Sequence, residues 1–158
     1  SQYQIISVDA YRPPYIPSHM TTQEFFQIAF DHLTDEGVLV INVGRGPTDR
    51  RLIDALGSTI LSVFPSLHVV DIPNTFNTIL FATRQPSSPE NLYANLSLLE
   101  QAPIPSPLLI ESIHLAVENL REPPSGGQVF TDDLAPIEWI TNTMVLDFLF
   151  SDELEVLQ

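Results

Sequence analysis

Two short runs that are apolar on both faces constrain this chain more than any other feature. Tyr3 to Val8 carries Ile5, Ile6 and Val8, and Val38 to Val43 is apolar through Ile41. Strands that lack alternation are buried on both sides, as in parallel sheets covered by helices. Between the runs lies a proline-rich loop with Pro13, Pro14 and Pro17. Thr21 or Thr22 can then cap a helix, with Glu24 near its positive end. Phe25, Ile28, Ala29, His32 and Leu33 follow at helical spacing, and Gly37 closes the unit. Strand, loop, helix, strand predicts an α/β fold. Ligands of open parallel sheets sit beyond the carboxyl ends of the strands. Asp9 stands at such an end and is the candidate catalytic residue; its plain alternative is a loop anchor.

Downstream, Gly44-Arg45-Gly46-Pro47 reads as a turn, because the third glycine of a dinucleotide fingerprint is absent. Thr48 or Asp49 then caps a helix with Leu52, Ile53, Leu56, Ile60, Leu61 and Phe64 on its apolar face. Leu67 to Ile72 and Thr78 to Thr83 are two further strands. Too few residues separate them for a helical crossover, so they should run antiparallel. Helices are expected over Glu90–Gln101, with Leu92, Leu96 and Leu99 on one face, and over Leu108–Leu120 and Ile137–Phe150. Prolines at 86 and 89 mark a boundary. The expected organisation is therefore residues 1–85 as a partial sheet with flanking helices, and residues 86–158 as a helical extension packed on the same domain.

Composition removes several chemistries. The 158 residues hold no cysteine, which excludes disulfides, thiolate metal sites and cysteine nucleophiles. All six basic residues are arginine, so Schiff-base and P-loop lysines are excluded. A net charge of −14 argues against nucleic acid and anionic membranes as partners; it would favour a cationic ligand, although charge alone reads first as an acidic surface that keeps a protein in solution. No apolar run approaches the ~20 residues of a membrane helix, and no basic, apolar leader opens the sequence, so a cytoplasmic location is expected. No metal site is expected: His19, His32, His68 and His114 lack ligand spacing, and His32 and His68 should pack. Thr131-Asp132-Asp133, with Glu138, has some cation-ligand character but reads better as a helix start.

Several of these segments together resemble the spermidine synthase-like proteins. They are Val8-Asp9-Ala10-Tyr11, Pro14-Tyr15-Ile16-Pro17, Thr21 to Phe26, Leu33 to Val43, and Thr131-Asp132-Asp133-Leu134-Ala135-Pro136-Ile137-Glu138. The resemblance implies a Rossmann-like fold of the class I S-adenosylmethionine-dependent methyltransferase type, with sheet order 3-2-1-4-5-7-6 and strand 7 antiparallel. Mapped here, the four strands are 4, 5, 6 and 7, so the chain looks like the C-terminal half of that fold. The glycine-rich loop and acidic ribose ligand belong to the other half. No cofactor is then expected on this chain alone; the intact parent would use decarboxylated S-adenosylmethionine or S-adenosylmethionine.

The resemblance gives Asp9 the role of base for an attacking amine and makes Asp9, Tyr11 and Arg12 the candidate substrate-binding residues. Arg12 stands where the family has a second aspartate, and a cation there repels a polyamine. Ile72-Pro73-Asn74-Thr75-Phe76 lacks the family's tyrosine. Three functions compete. One is the C-terminal portion of an aminopropyltransferase acting on a small amine, inactive as this chain alone. A second is a non-enzymatic assembly module that pairs through the edge left at Gln4 to Val8, or through the Ile137–Phe150 helix, as a homodimer or with a missing N-terminal half. The third is a methyltransferase fragment, for which Arg12 suits an anionic or neutral acceptor.

Overall fold

The structure, a computed structural model, describes residues 2–10 and 16–150. Strand β1 (Tyr3–Val8) is followed by a single 3-10 turn (Ser18–Met20), helix α1 (Gln23–His32) and strand β2 (Leu33–Gly44). Helix α2 (Arg51–Leu61), strand β3 (Ser66–Asp71) and strand β4 (Asn77–Thr83) come next. Helices α3 (Pro89–Glu100) and α4 (Pro107–Glu118), strand β5 (Leu120–Arg121) and helix α5 (Ile137–Phe150) complete the described chain.

The sheet order is β1-β2-β4-β3-β5. β1 and β2 are parallel, and β4 is antiparallel to both β2 and β3. The first four strands thus reproduce the 4-5-7-6 arrangement, with the last formed strand inserted antiparallel. This is an α/β, Rossmann-like fold of the methyltransferase type.

Three elements differ from expectation. β2 begins at Leu33, not at Val38, because Asp35-Glu36-Gly37 is absorbed as an irregularity within the strand: Tyr3 pairs with Leu33, yet Ile5 pairs with Val38. Gly37 permits this, since a Cβ there would meet Leu33 Cβ at 2.7 Å and the Thr34 carbonyl oxygen at 2.8 Å. On α1 the buried face carries Phe26 and Ala29, whereas Ile28 is exposed. The larger aromatic surface decides the rotation: Phe26 has no exposed area, and Phe30 meets Phe64 edge-on at 5.2 Å. His32 accordingly faces solvent, its Nδ1 2.8 Å from the Ile28 carbonyl oxygen. Finally, Leu120–Arg121 is a strand on the outer edge of β3, not the last turn of α4.

Alternation along β2 and β4 separates two sheet faces. Leu39, Ile41, Val43, Leu80 and Ala82 are buried with Leu52, Ile53, Leu56 and Ile60 of α2 in one core. Phe130, Ile137, Ile140 and Met144 belong to that same core. On the other face Val40, Asn42, Ile79 and Phe81 are half-buried, and α4 leans over Ile79 and Phe81. Leu92, Leu96 and Leu99 are the half-buried side of α3.

Candidate functional site

The carboxyl end of β1 places Asp9 beside β2, because Val8 pairs with Ile41 and Asp9 follows it, within reach of the Asn42 side chain. Asp9 is exposed and accepts a hydrogen bond from Asn42 Nδ2 at 3.2 Å. That bond orients the amide, since the carboxylate only accepts. It leaves Asn42 Oδ1 buried and without a hydrogen-bond partner. Asn42 was not singled out from sequence; the available signal was one amide interrupting an otherwise apolar strand. Tyr11 and Arg12, the other two candidates, lie outside the described residues. The arrangement holds a carboxylate at a strand end, where it can accept a proton or hydrogen bond from an approaching donor.

A second polar cluster forms at the same end of the sheet. Asp71 ends β3, is only 6% exposed, and gathers three of the six arginines. Arg50 Nη1 donates to its two oxygens at 3.2 and 2.9 Å, Arg121 Nε donates at 3.0 Å, and Thr78 Oγ1 donates at 2.7 Å. Arg45 Nε lies 3.5 Å away. Asp71 alternates to the core side of the sheet, and Asn42 to the other. Nothing in the sequence joined positions 45, 50, 71 and 121.

Burial pushes the Asp71 carboxyl up, but the hydrogen bonds from Thr78, Arg121 and Arg50 outweigh it and bring the pKa down to about 2. A depressed carboxyl pKa contributes stability that is complete above the unfolded value and is lost as pH falls through the folded one. The gap corresponds to roughly 2 kcal/mol, lost between about pH 4 and pH 2. Asp71→Asn should therefore cost about 2 kcal/mol or more at neutral pH and flatten that acid limb. Urea unfolding of both proteins at pH 7 and pH 2.5 measures it; parallel curves would contradict this assignment.

Thr131, Asp132 and Asp133 do not start α5. Thr131 and Leu134 exchange backbone hydrogen bonds of 3.1 and 2.9 Å across a tight turn, and Asp132 N donates to Glu24 Oε2 at 3.1 Å. The turn thus fastens the start of α1, and no group of three metal-ligating side chains occurs among the described residues. His68 is half-buried with Nε2 2.8 Å from Ser87 Oγ, and burial lowers its pKa. Among the described residues no helix is long and apolar enough to cross a membrane.

No family model matches the chain. It is similar to a curated protein, the probable polyamine aminopropyl transferase of Bifidobacterium longum, at 32% identity over 169 residues, covering 96% of this chain and 37% of the relative. Among solved structures, the probable spermidine synthase from Corynebacterium glutamicum superposes with a TM-score of 0.55 at 21% identity, over 82% of this chain and 47% of that one. A spermidine synthase solved with the transition-state analogue AdoDATO gives a TM-score of 0.50 at 18% identity, over 73% and 42% of the two chains. At these identities the structures speak to the fold. The chain spans less than half the length of each.

Proposed function

We propose that the chain is spermidine synthase-like over the part of that fold it spans and that it carries the amine-acceptor side of an aminopropyl-transfer site. One observation carries the reading: Asp9 is exposed at the carboxyl end of a parallel strand and is oriented there by Asn42. In the proposed reaction the lone pair of a neutral amine attacks the methylene carbon next to the sulfonium of decarboxylated S-adenosylmethionine. The new C–N bond forms as the C–S bond breaks, and that electron pair returns to sulfur, giving methylthioadenosine. Asp9 accepts the proton that the amine nitrogen sheds. The net charge of −14 draws a cationic amine toward a cytoplasmic enzyme of this kind.

In this reading the nucleoside is held by a further part of a longer polypeptide. Isothermal titration of the 158-residue chain with methylthioadenosine should show no saturable binding. Tight binding would overturn the division of the site.

A second reading, as an assembly module, rests on β1. It pairs only with β2 among the described residues, and Tyr3 and Ile5 are 53% and 66% exposed on it. An apolar edge of this kind is a template for another strand. It suits either the remainder of the parent or a second copy. Light scattering should show the isolated chain as a homodimer or larger at micromolar concentration; a monomer throughout would reject self-assembly.

A further inference from the structure

We propose that the acceptor amine carries an apolar chain, which lies across the sheet from Asp9 into the cleft beneath α4. The inference rests on the reading of Asp9 as the group that meets the acceptor nitrogen, and it adds the class of acceptor.

Register lays out the path. Val8 belongs to the core on one side of the sheet, so Asp9 takes the opposite face, where Asn42 Nδ2 meets it at 3.2 Å. Asn42 pairs with Ile79 on β4, and Ile79 pairs with Val70 on β3. Directly paired residues share a face, so Asp9, Asn42, Ile79 and Val70 form a row across it. The row is polar at the Asp9 end and carbon beyond it. Neighbouring strands stand about 4.8 Å apart, which puts Val70 about 10 Å along the row from Asn42.

The far end of the row is an open cleft of about 430 Å³. Val70, Ile72, Ile79 and Phe81 form its floor, and Leu108 and Leu115 its roof. Leu108, Glu111, Ser112 and Leu115 are spaced three and four apart, so one face of α4 turns toward the sheet. That face is not packed down, since Leu108 and Leu115 stay 75% and 37% exposed. Carbon walls on both sides of a gap this size suit an apolar occupant. Glu111 lines the cleft and is exposed. A carboxylate ligand would therefore meet one acid at the cleft and another, Asp9, at the opposite end of the row; an amine is attracted by both. A straight chain of about eight carbons spans the distance from the amine at Asp9 to Val70.

The test titrates the isotope-labelled 158-residue chain with methylamine, octylamine and diaminooctane, which has an amine at each end of the same chain, while amide resonances are followed. Octylamine should shift Asn42, Ile79, Val70 and Leu115 saturably and bind at least about tenfold more tightly than methylamine. It should also bind about tenfold more tightly than diaminooctane, whose second ammonium would have to enter the apolar cleft. Leu115→Gln, a change at the exposed roof, should weaken octylamine about three- to tenfold and leave methylamine unchanged. Asp9→Asn should weaken all three amines. Octylamine that shifts only the Asp9 end, with no gain over methylamine, would overturn the cleft and leave the role of Asp9 standing. Octylamine held in the cleft but indifferent to Asp9→Asn would overturn the role of Asp9, and the continuous path with it. Equal or tighter binding of diaminooctane would also overturn the proposal, by giving Glu111 a second ammonium in place of an apolar end. So would an absence of saturable shifts.

Discussion

Asp9→Asn in the full-length polypeptide should lower kcat for aminopropyl transfer by about 100- to 10,000-fold, the usual worth of a positioned general base. The amide keeps the size of the carboxylate and its place beside Asn42 Nδ2, 3.2 Å away. It loses the basic oxygen that, in the proposed reaction, takes the amine proton. KM for the donor should stay near its wild-type value, because the proposed reading sets Asp9 against the acceptor and not the nucleoside. Raising the pH should recover part of the lost rate, as more of the amine arrives already neutral. A variant with unchanged kcat would show that Asp9 only anchors its loop. A loss confined to KM would make it a binding residue without a share in proton transfer. Steady-state rates at several pH values separate these outcomes.

Phe130→Ala should cost about 3–5 kcal/mol of folding stability, the range for removing a fully buried aromatic ring. Phe130 has no exposed area. Its backbone N–H donates to Thr59 Oγ1 of α2 at 3.0 Å, and its carbonyl accepts from Gln23 N at the start of α1 at 2.8 Å. The ring therefore fills the core at a point where two helices are already tied together, and collapse around the cavity is restricted. At this chain length each kcal/mol moves Tm by about 2–4 °C, so a fall of about 10 °C is expected. Trp139→Ala provides the contrast: Trp139 is 65% exposed on α5, and its loss should stay within about 0.5 kcal/mol. Thermal unfolding followed by circular dichroism compares the two. A small Phe130 effect would mean that the segment leading into α5 folds separately from the sheet.

The central strands were legible because their apolar runs carry no competing pattern. The five residues from Pro73 to Asn77 are too few for a helical crossover and predict an antiparallel neighbour, and β3 and β4 pair that way. Where two signals overlap, local pattern does not decide the structure. Phe25, Phe26 and Phe30 make α1 apolar on more than one side, and only packing against Phe64 chooses between the faces. Asp35-Glu36-Gly37 has turn chemistry, yet Gly37 lets β2 fold it into the strand. β5 is two residues long and has no pattern to detect. The candidate site divides in the same manner. Asp9 was visible as a polar residue closing an apolar run. Asn42 became meaningful only once register set it beside Asp9. The Asp71 cluster depends on residues from four separate segments meeting, which no local pattern encodes.

The most direct measurement is the mass of the acceptor amine after incubation of the full-length polypeptide with decarboxylated S-adenosylmethionine, and in parallel with S-adenosylmethionine. The account predicts a gain of one aminopropyl group with the first donor, release of methylthioadenosine, and no change with the second. A gain of a methyl group from S-adenosylmethionine, or no transfer from either donor, would contradict it.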